Sequence, residues 1–138
     1  MLATRLLDAY EKTRYVVELP GGAKTIIRAG KPVPSVVEKL LTDAGATTWA
    51  YVTAWNPGSV KQTADENARL QALLVAEVGA HGWQTYPGEG VGVSAWLAEK
   101  SLLIIGATRE EGLALGRQFN QLAVVYGEAG KVAELLEC

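Results

Sequence analysis

The segment Trp49–Ser59 constrains the fold more than any other part of the chain. It reads Trp-Ala-Tyr-Val-Thr-Ala-Trp-Asn-Pro-Gly-Ser, and aromatic and β-branched residues at this density favour a β-strand. Because alternate strand residues point to opposite faces, Trp49 and Tyr51 share a bulky face, while Val52 lies between alanines on the other. The proline-glycine pair ends the strand. We predict a central strand whose small face lets a helix lie close and whose bulky face needs another cover.

The elements on either side follow from hydrophobic periodicity, helix caps and turn residues. Thr63 and Thr108 each begin a capping-box pattern, and Gly45 is suited to end a helix in the left-handed conformation. The predicted elements are a helix at 2–11, strands at 15–19 and 24–28, a helix at 34–44, the central strand, a helix at 63–81, a short strand at 83–86, a glycine-rich loop at 87–92, one long strand at 93–105 bulged near 99–100, a helix at 108–119, and a final hairpin with strands at 121–126 and 131–136.

From Trp49 onward the predicted order is β-α-β-β-α-β, the order of the ferredoxin-like fold. We expect an α+β protein with an antiparallel or mixed sheet, helices on one face and core strands in the order 4-1-3-2. The ferredoxin-like βαββαβ core with its final hairpin would occupy 47–138, and a helix–hairpin–helix extension would occupy 1–46. At 138 residues, the chain is expected to form a single domain.

Composition excludes several classes of function. The net charge of −2 argues against the strongly basic face that duplex binding needs, so no nucleic-acid partner is expected. No apolar run approaches the roughly 20 residues needed to cross a bilayer, and the charged start of the chain is unlike a signal peptide. We therefore expect a cytoplasmic protein without a membrane partner. A single cysteine and a single histidine argue against a disulfide framework, a Cys/His nucleophile pair and a His-rich metal site, and we expect no metal or cofactor.

Polar and aromatic residues are predicted to meet at one rim of the sheet. Antiparallel strands reverse direction at a shared rim, so the end of one strand lies beside the start of the next. The candidate ligand-binding residues at this rim are Trp55, Asn56, Asn67, Trp96, Gln118 and Gln121. Glu99 lies slightly further along the strand beside the central one and is the candidate catalytic residue.

Structural roles compete with functional ones at these positions. Asn67 lies on or near the buried stripe of its helix, where an amide without partners costs about 1–3 kcal/mol. It either ties down the Asn56-Pro57 loop or faces a ligand. Glu99 is either a bulge residue or ion-pair partner, or a carboxylate in a pocket. Gln121 is likewise either structural or ligand-facing.

A resemblance to a known family rests on short segments in a fixed order. These are Thr53-Ala54-Trp55-Asn56-Pro57, Glu66-Asn67, Pro87-Gly88-Glu89-Gly90, Trp96-Leu97-Ala98-Glu99-Lys100-Ser101 and Phe119-Asn120-Gln121-Leu122-Ala123. Over roughly 49–127 the chain resembles a small bacterial family known as domain of unknown function 3293. The family pattern has glycine at the position of Asn120, so a tight turn there is not implied. The resemblance implies that the polar cluster is a shared site and implies no activity.

Three functions fit these observations. We favour a small-molecule-binding domain, because amides, a carboxylate and tryptophans beside a glycine-rich loop are typical of ligand pockets. The first alternative is an enzyme that uses Glu99 as a general acid or base. The second is an interaction module without a ligand, whose exposed edge strands mediate self-association. A homodimer is compatible with all three, and the sequence does not decide whether the protein is an enzyme.

Overall fold

The structure is a computed structural model that describes residues 2–93 and 98–138. Within these ranges the chain is a mixed α+β protein with four helices and seven strands. The elements are α1 (Thr4–Lys12), β1 (Arg14–Glu18), β2 (Lys24–Ile27), α2 (Ser35–Ala44), β3 (Thr48–Thr53), α3 (Ala64–Ala80), β4 (Gln84–Val91), β5 (Glu99–Ile105), α4 (Arg109–Gln118), β6 (Ala123–Glu128) and β7 (Glu134–Glu137). None of the helices in the described ranges is long and apolar enough to cross a membrane.

All seven strands form one sheet in the order β2-β1-β4-β5-β3-β6-β7. Every neighbouring pair is antiparallel. The central strand β3 pairs with β5 on one side and β6 on the other, and β4 lies beyond β5. The N-terminal hairpin is part of the same sheet, because β1 pairs with β4.

Helices cover both faces of the sheet. On the face that carries Ala50 and Val52, α3 and α4 pack through buried residues such as Leu74 and Leu115. On the opposite face, α2 packs through Val37 and Leu41 into the core around Trp49. The prediction of helices on one face is therefore wrong for α2. The helix α2 lies on this face because Trp49 is fully buried there, and a large apolar side chain of this kind needs a covering layer.

The sheet curls so that its two edges approach each other. Gly30 follows β2 and its N–H donates to the carbonyl of Ala133 at 2.7 Å, while the Ala133 N–H donates to the carbonyl of Lys31 at 3.1 Å. Ala133 lies just before β7, the strand at the other edge. These bonds join the two edges of the sheet across the face that carries Trp49 and α2. As a result, that face becomes the concave interior of a partly closed sheet.

The glycine-rich segment is a strand and not the predicted loop. β4 extends to Val91 and pairs with β5 on one side and with β1 on the other. The strand β1, far upstream in the sequence, supplies hydrogen-bonding partners that glycine composition alone does not reveal. β5 begins at Glu99, opposite Gly90, and continues in regular register. Glu99 is therefore not at a bulge, and the first part of the predicted long strand falls partly outside the described residues.

Gly88 has a packing role in this strand. A Cβ atom at Gly88 would lie 2.1 Å from the carbonyl oxygen of Val16 and 2.7 Å from the hydroxyl of Tyr51. That hydroxyl donates a hydrogen bond to the same Val16 oxygen at 2.7 Å. Glycine is required because the Tyr51 side chain crosses the strand at this point.

The Gly88→Ala variant should lose stability, because either Tyr51 or β1 must move. We expect the free energy of unfolding to fall by about 1–3 kcal/mol, the usual cost of overpacking. Gly90→Ala is the matched control on the same strand. The nearest atom to its added Cβ is the Thr13 Cγ2 at 3.7 Å, so we expect a change within about 0.5 kcal/mol. Urea unfolding of both variants measures the difference, and equal stabilities would contradict the packing role.

α4 approaches the sheet closely at its two glycines, Gly112 and Gly116. A Cβ at Gly112 would lie 3.2 Å from the Cβ of Ala50. A Cβ at Gly116 would lie 2.7 Å from the Cγ1 of Val124. The helix therefore packs its backbone almost directly on β3 and β6.

Candidate functional site

The predicted rim exists, and its first component is a pair of buried asparagines. Asn56 follows β3, and Asn67 lies in the first turns of α3. The Asn56 N–H donates to Oδ1 of Asn67 at 2.9 Å, and Nδ2 of Asn67 donates to Oδ1 of Asn56 at 2.9 Å. Oδ1 of Asn56 also accepts from the Gln62 N–H at 2.9 Å. Asn67 thus fixes the loop after β3, one of the two roles predicted for it.

Glu99 is connected to this pair. It is half-buried at the start of β5, and its Oε2 accepts a hydrogen bond from Nδ2 of Asn56 at 2.7 Å. An amide that donates to a carboxylate makes a charge-assisted bond, which is stronger than a bond between neutral groups. The chain Asn67–Asn56–Glu99 therefore orients one carboxylate from a loop that a helix holds in place.

Gln121 joins the rim from the segment just before β6. It is buried, and its Nε2 donates to the carbonyls of Trp55 and Phe119 at 3.1 and 3.3 Å. These bonds tie the chain before β6 to the end of β3. Trp55 is half-buried, and its indole Nε1 is buried with no hydrogen-bond partner.

The backbone around this rim is strained at three residues. Asn56, Ser59 and Asn120 all have positive φ angles, of 47°, 61° and 53°. The Gly58 N–H donates to the carbonyl of Asn120 at 2.7 Å, which joins two of the strained segments. Asparagine tolerates this conformation, while serine adopts it less readily. Such strain accumulates at functional sites, where the surrounding structure holds it in place.

A cavity of about 270 Å³ lies beside the rim on the concave face of the sheet. Leu6, Ala9 and Tyr10 of α1 line it on one side, and side chains of the sheet line the other. Glu99 and Gln121 are among its lining residues. α1 contains no fully buried residue, so this helix covers the cavity without being part of the main core.

Three tyrosines give the cavity an aromatic lining that carries no charge at neutral pH. Burial raises the pKa of Tyr15 and of Tyr51 well above the usual range, and it raises the pKa of Tyr10 in the same direction. The negative charge of Glu99 adds to the increase for Tyr10 and Tyr15. The Tyr10 hydroxyl and the Ser59 Oγ share a hydrogen bond of 3.0 Å. This bond attaches α1 to the strained loop, residues 56–59. The rings of Tyr15 and Tyr51 meet edge to face, 5.4 Å apart.

The structure separates the predicted site residues into four groups. Glu99 and Gln121 line the cavity. Asn56, Asn67 and Trp55 adjoin it through the hydrogen bonds above and are not among its described lining residues. Gln118 is exposed and lines a separate groove between α3 and α4, together with Pro57 and Asn120, and its role in ligand binding stays a prediction. The end of α4 turns its side chain outward. Trp96 lies outside the described residues.

Sequence reasoning missed the contribution of the N-terminal segment. Tyr10, Thr13 and Tyr15 all line the cavity. Tyr10 belongs to the apolar stripe of α1, which predicts core packing and nothing more. A tyrosine at the end of such a stripe was the available signal, since its hydroxyl needs a partner when the ring is buried.

The described residues contain no cluster of three or more histidine, cysteine, aspartate or glutamate side chains that could hold a metal ion. The chemical groups of the site are a carboxylate, amides, serine, threonine and tyrosine hydroxyls, and aromatic rings. These groups can hydrogen bond to a ligand and, through Glu99, can accept a proton or balance a positive charge.

Comparison with known proteins gives one match. A family model described as "Protein of unknown function (DUF3293)" matches residues 52–124. That range begins within β3 and ends within β6, so it includes Asn56, Asn67, Glu99 and Gln121. No curated protein and no solved structure matches the chain.

Proposed function

Since this chain belongs to the DUF3293 family, whose description assigns no activity, we propose from the geometry that it binds a small molecule in the cavity between α1 and the sheet. The observation that carries the proposal is the Asn67–Asn56–Glu99 hydrogen-bonded chain, which holds a carboxylate at the wall of this cavity. A concave, largely apolar space with a few fixed polar groups is the usual form of a ligand site.

The strained loop supports the same proposal. Asn56 and Ser59 both adopt positive φ, and each supplies a side chain that contacts a cavity-lining residue, Glu99 and Tyr10 respectively. Strain of this kind costs of order 1–3 kcal/mol per residue. Two such residues in one short loop, each with a side chain hydrogen-bonded to a residue that lines the cavity, are consistent with a preorganised site.

In this proposal the asparagines are positioning residues. Asn56 holds the Glu99 carboxylate, and Asn67 holds Asn56. Gln121, Tyr10 and Tyr51 are the further groups that would contact a ligand. Glu99 is also the group that would act as acid or base if a bound molecule reacts, so conversion of a ligand during the binding assay would favour the enzyme hypothesis.

A blocked cavity tests the proposal. Ala9 lines the cavity from α1 and is otherwise exposed, so Ala9→Trp should fill the space without disturbing the core. Asp8→Trp is the matched control, because Asp8 is exposed on the same helix and is not among the described lining residues. Metabolites are screened for an increase in melting temperature, and hits are measured by calorimetry.

We expect hits that bind the native chain and Asp8→Trp with equal affinity and bind Ala9→Trp at least about tenfold more weakly, a loss of about 1.4 kcal/mol. Hits that bind Ala9→Trp with the affinity they have for the native chain would show that the ligand binds outside this cavity. A screen that yields no ligand at all would overturn the proposal.

We also propose a ferredoxin-like relation and a single-domain organisation for the fold. The strand order β4-β5-β3-β6, with α3 and α4 on one face of these strands, supports a ferredoxin-like relation for residues 47–138. The hydrogen-bonded pairing of β1 with β4 supports one domain over the whole chain. A homodimer and a cytoplasmic location stay predictions.

A further inference from the structure

We propose that the ligand of this cavity is a compact apolar molecule that carries an O–H or N–H group and donates that hydrogen to a buried hydroxyl oxygen of the wall. The inference rests on the proposed function and names the ligand class. The direction of the hydrogen bonds that the lining side chains already make leads to this class. Most of their hydrogens are bonded to backbone carbonyls of the protein itself, so the wall offers a ligand oxygen lone pairs in place of donors.

Three buried hydroxyls of the sheet show this pattern. The Tyr15 hydroxyl donates to the carbonyl of Tyr10 at 2.8 Å, and the Tyr51 hydroxyl donates to the carbonyl of Val16 at 2.7 Å. The Ser101 hydroxyl donates at 3.0 Å to the backbone carbonyl two residues earlier in β5. A hydroxyl has one hydrogen and two lone pairs. Because that hydrogen is already bonded to the protein, each of these groups can accept from a ligand but cannot donate to it.

The three hydroxyls belong to one region of the wall. The rings of Tyr15 and Tyr51 are in contact. Ser101 lies opposite Gly88 in the β4–β5 register, and a Cβ at Gly88 would lie 2.7 Å from the Tyr51 hydroxyl. Burial raises the pKa of both tyrosines, so their hydroxyls keep the hydrogen at neutral pH and stay uncharged. The region is therefore a neutral patch of acceptor oxygens.

The threonines and the glutamine of the wall follow the same pattern. Thr13 Oγ1 donates to the carbonyl of Ala9 at 2.7 Å, and Thr53 Oγ1 donates to the carbonyl of Lys100 at 2.6 Å. The amide nitrogen of Gln121 donates to two backbone carbonyls, and an amide NH2 group has two hydrogens. Since both partners are acceptors, the orientation of the amide is fixed, and its Oε1 is the atom that remains for a donor.

A ligand that can only accept hydrogen bonds is a poor complement to this wall. The hydroxyls of Tyr10 and Ser59 share one hydrogen bond, which uses one of their two hydrogens and leaves the other. None of the described lining residues is a lysine, an arginine or a histidine. A carboxylate or phosphate would therefore lose water and find few side-chain donors at the described positions. Burying a charge without such partners is costly.

The apolar part of the wall and the volume define the body of the ligand. Leu6, Val125 and Leu135 line the cavity together with the tyrosine rings. The volume of about 270 Å³ exceeds that of an engineered apolar cavity of about 150 Å³ that binds benzene. A single ring with a short substituent fits this space, whereas a polymeric ligand does not.

Pairs of probes that match in shape and differ in the donor test the inference. Para-ethylphenol is paired with its isomer para-methylanisole, benzyl alcohol with its isomer anisole, and indole with benzofuran. Benzoate is added as an anion of similar size. Affinities are measured by calorimetry on the full chain. In at least one pair we expect the donor to bind at least about fivefold more tightly than its partner, equal to about 1 kcal/mol, and we expect benzoate to bind more weakly than benzyl alcohol.

Removal of single acceptor oxygens shows where the preference arises. Tyr15→Phe, Tyr51→Phe and Ser101→Ala each delete one of the three oxygens, and in at least one variant the affinity ratio within the pair should fall toward one. Both members of a pair are measured on the same variant, so a general loss of stability does not change the ratio. Tyr126→Phe is the matched control and should keep the ratio. Tyr126 is buried on β6, its hydroxyl is hydrogen-bonded to Glu128 at 3.1 Å, and it is not among the described lining residues.

The outcomes that overturn the inference are distinct from failure of the proposed function. If both members of every pair bind equally and Ala9→Trp weakens both by about tenfold, the cavity binds ligands but does not select a donor. Tightest binding by benzoate, or a donor preference that all three variants retain, would also contradict the inference. A panel in which no probe binds overturns it as well, and the proposed function is then decided by the metabolite screen.

Discussion

Gly127→Ala is expected to cause a large loss of stability. Gly127 lies opposite Trp49 in the β3–β6 register, and its added Cβ would lie 2.3 Å from Cε2 and Cζ2 of the indole. Trp49 is fully buried and packs in the same core as Val37 and Leu41. The ring therefore has no free space to enter. We expect the free energy of unfolding to fall by at least about 3 kcal/mol, the upper range for overpacking.

The measurement is urea unfolding followed by circular dichroism. Gly79→Ala is the control, because Gly79 lies in α3 with no atom within 4 Å of its added Cβ, and alanine in a helix is favoured over glycine by up to about 1 kcal/mol. Gly127→Ala combined with Trp49→Phe should recover part of the loss, since the smaller ring vacates the position of the clash. A Gly127→Ala protein within about 1 kcal/mol of the native chain, or no coupling in the double-mutant cycle, would contradict this account of the strand.

Asn67→Leu is expected to lower both stability and ligand binding. The substitution keeps the approximate volume and removes the acceptor of the Asn56 N–H and one donor to the Asn56 Oδ1. Asn56 is buried, so its N–H would be left without its partner at a cost of about 1–3 kcal/mol. With Asn56 released, the Glu99 carboxylate would lose its orientation as well.

Gln71→Leu separates this effect from a general effect of leucine on α3. Gln71 is one helical turn further along α3, and its Oε1 is buried without a hydrogen-bond partner. Its replacement should be neutral or stabilising, because a desolvated, unpaired oxygen is removed. We expect Asn67→Leu to unfold at a lower urea concentration than Gln71→Leu and to lose the hits of the metabolite screen, which Gln71→Leu should retain. Equal stability and equal binding of the two variants would show that the asparagine pair supports neither property.

The clustering of residues at the rim of the sheet could be predicted from the sequence, because it follows from the order and direction of the strands. Once β3, β5 and β6 are assigned as antiparallel neighbours, the residues just after β3 and at the starts of β5 and β6 must lie at the same end. This places Asn56, Glu99 and Gln121 together, as the hydrogen bonds at the rim show. The capping box of Thr108 and Glu111 was equally accessible, since both of its bonds join residues three apart.

The cavity could not be predicted from the sequence in the same way. Its wall is built by Tyr10 and Tyr15, far from Glu99 in the sequence, and they reach it because β1 pairs with β4 and places α1 over the concave face. No local pattern in residues 2–18 indicates which strand β1 pairs with. The direction of the Gln118 side chain could not be predicted for a related reason: periodicity gives the length of α4, while the rotation of the helix on the sheet depends on the close contacts of Gly112 and Gly116.

The sequence by itself determined the local elements and the end of the sheet where the amides and Glu99 collect. Backbone preferences, helix caps and strand alternation act between residues close in the chain, so they can be read from it directly. Only the tertiary structure decided that the glycine-rich segment is a strand, that α2 fills the Trp49 face and that α1 covers a cavity. These features depend on burial and pairing between distant segments, whose free energy is decided by the whole fold and not by any one stretch of residues.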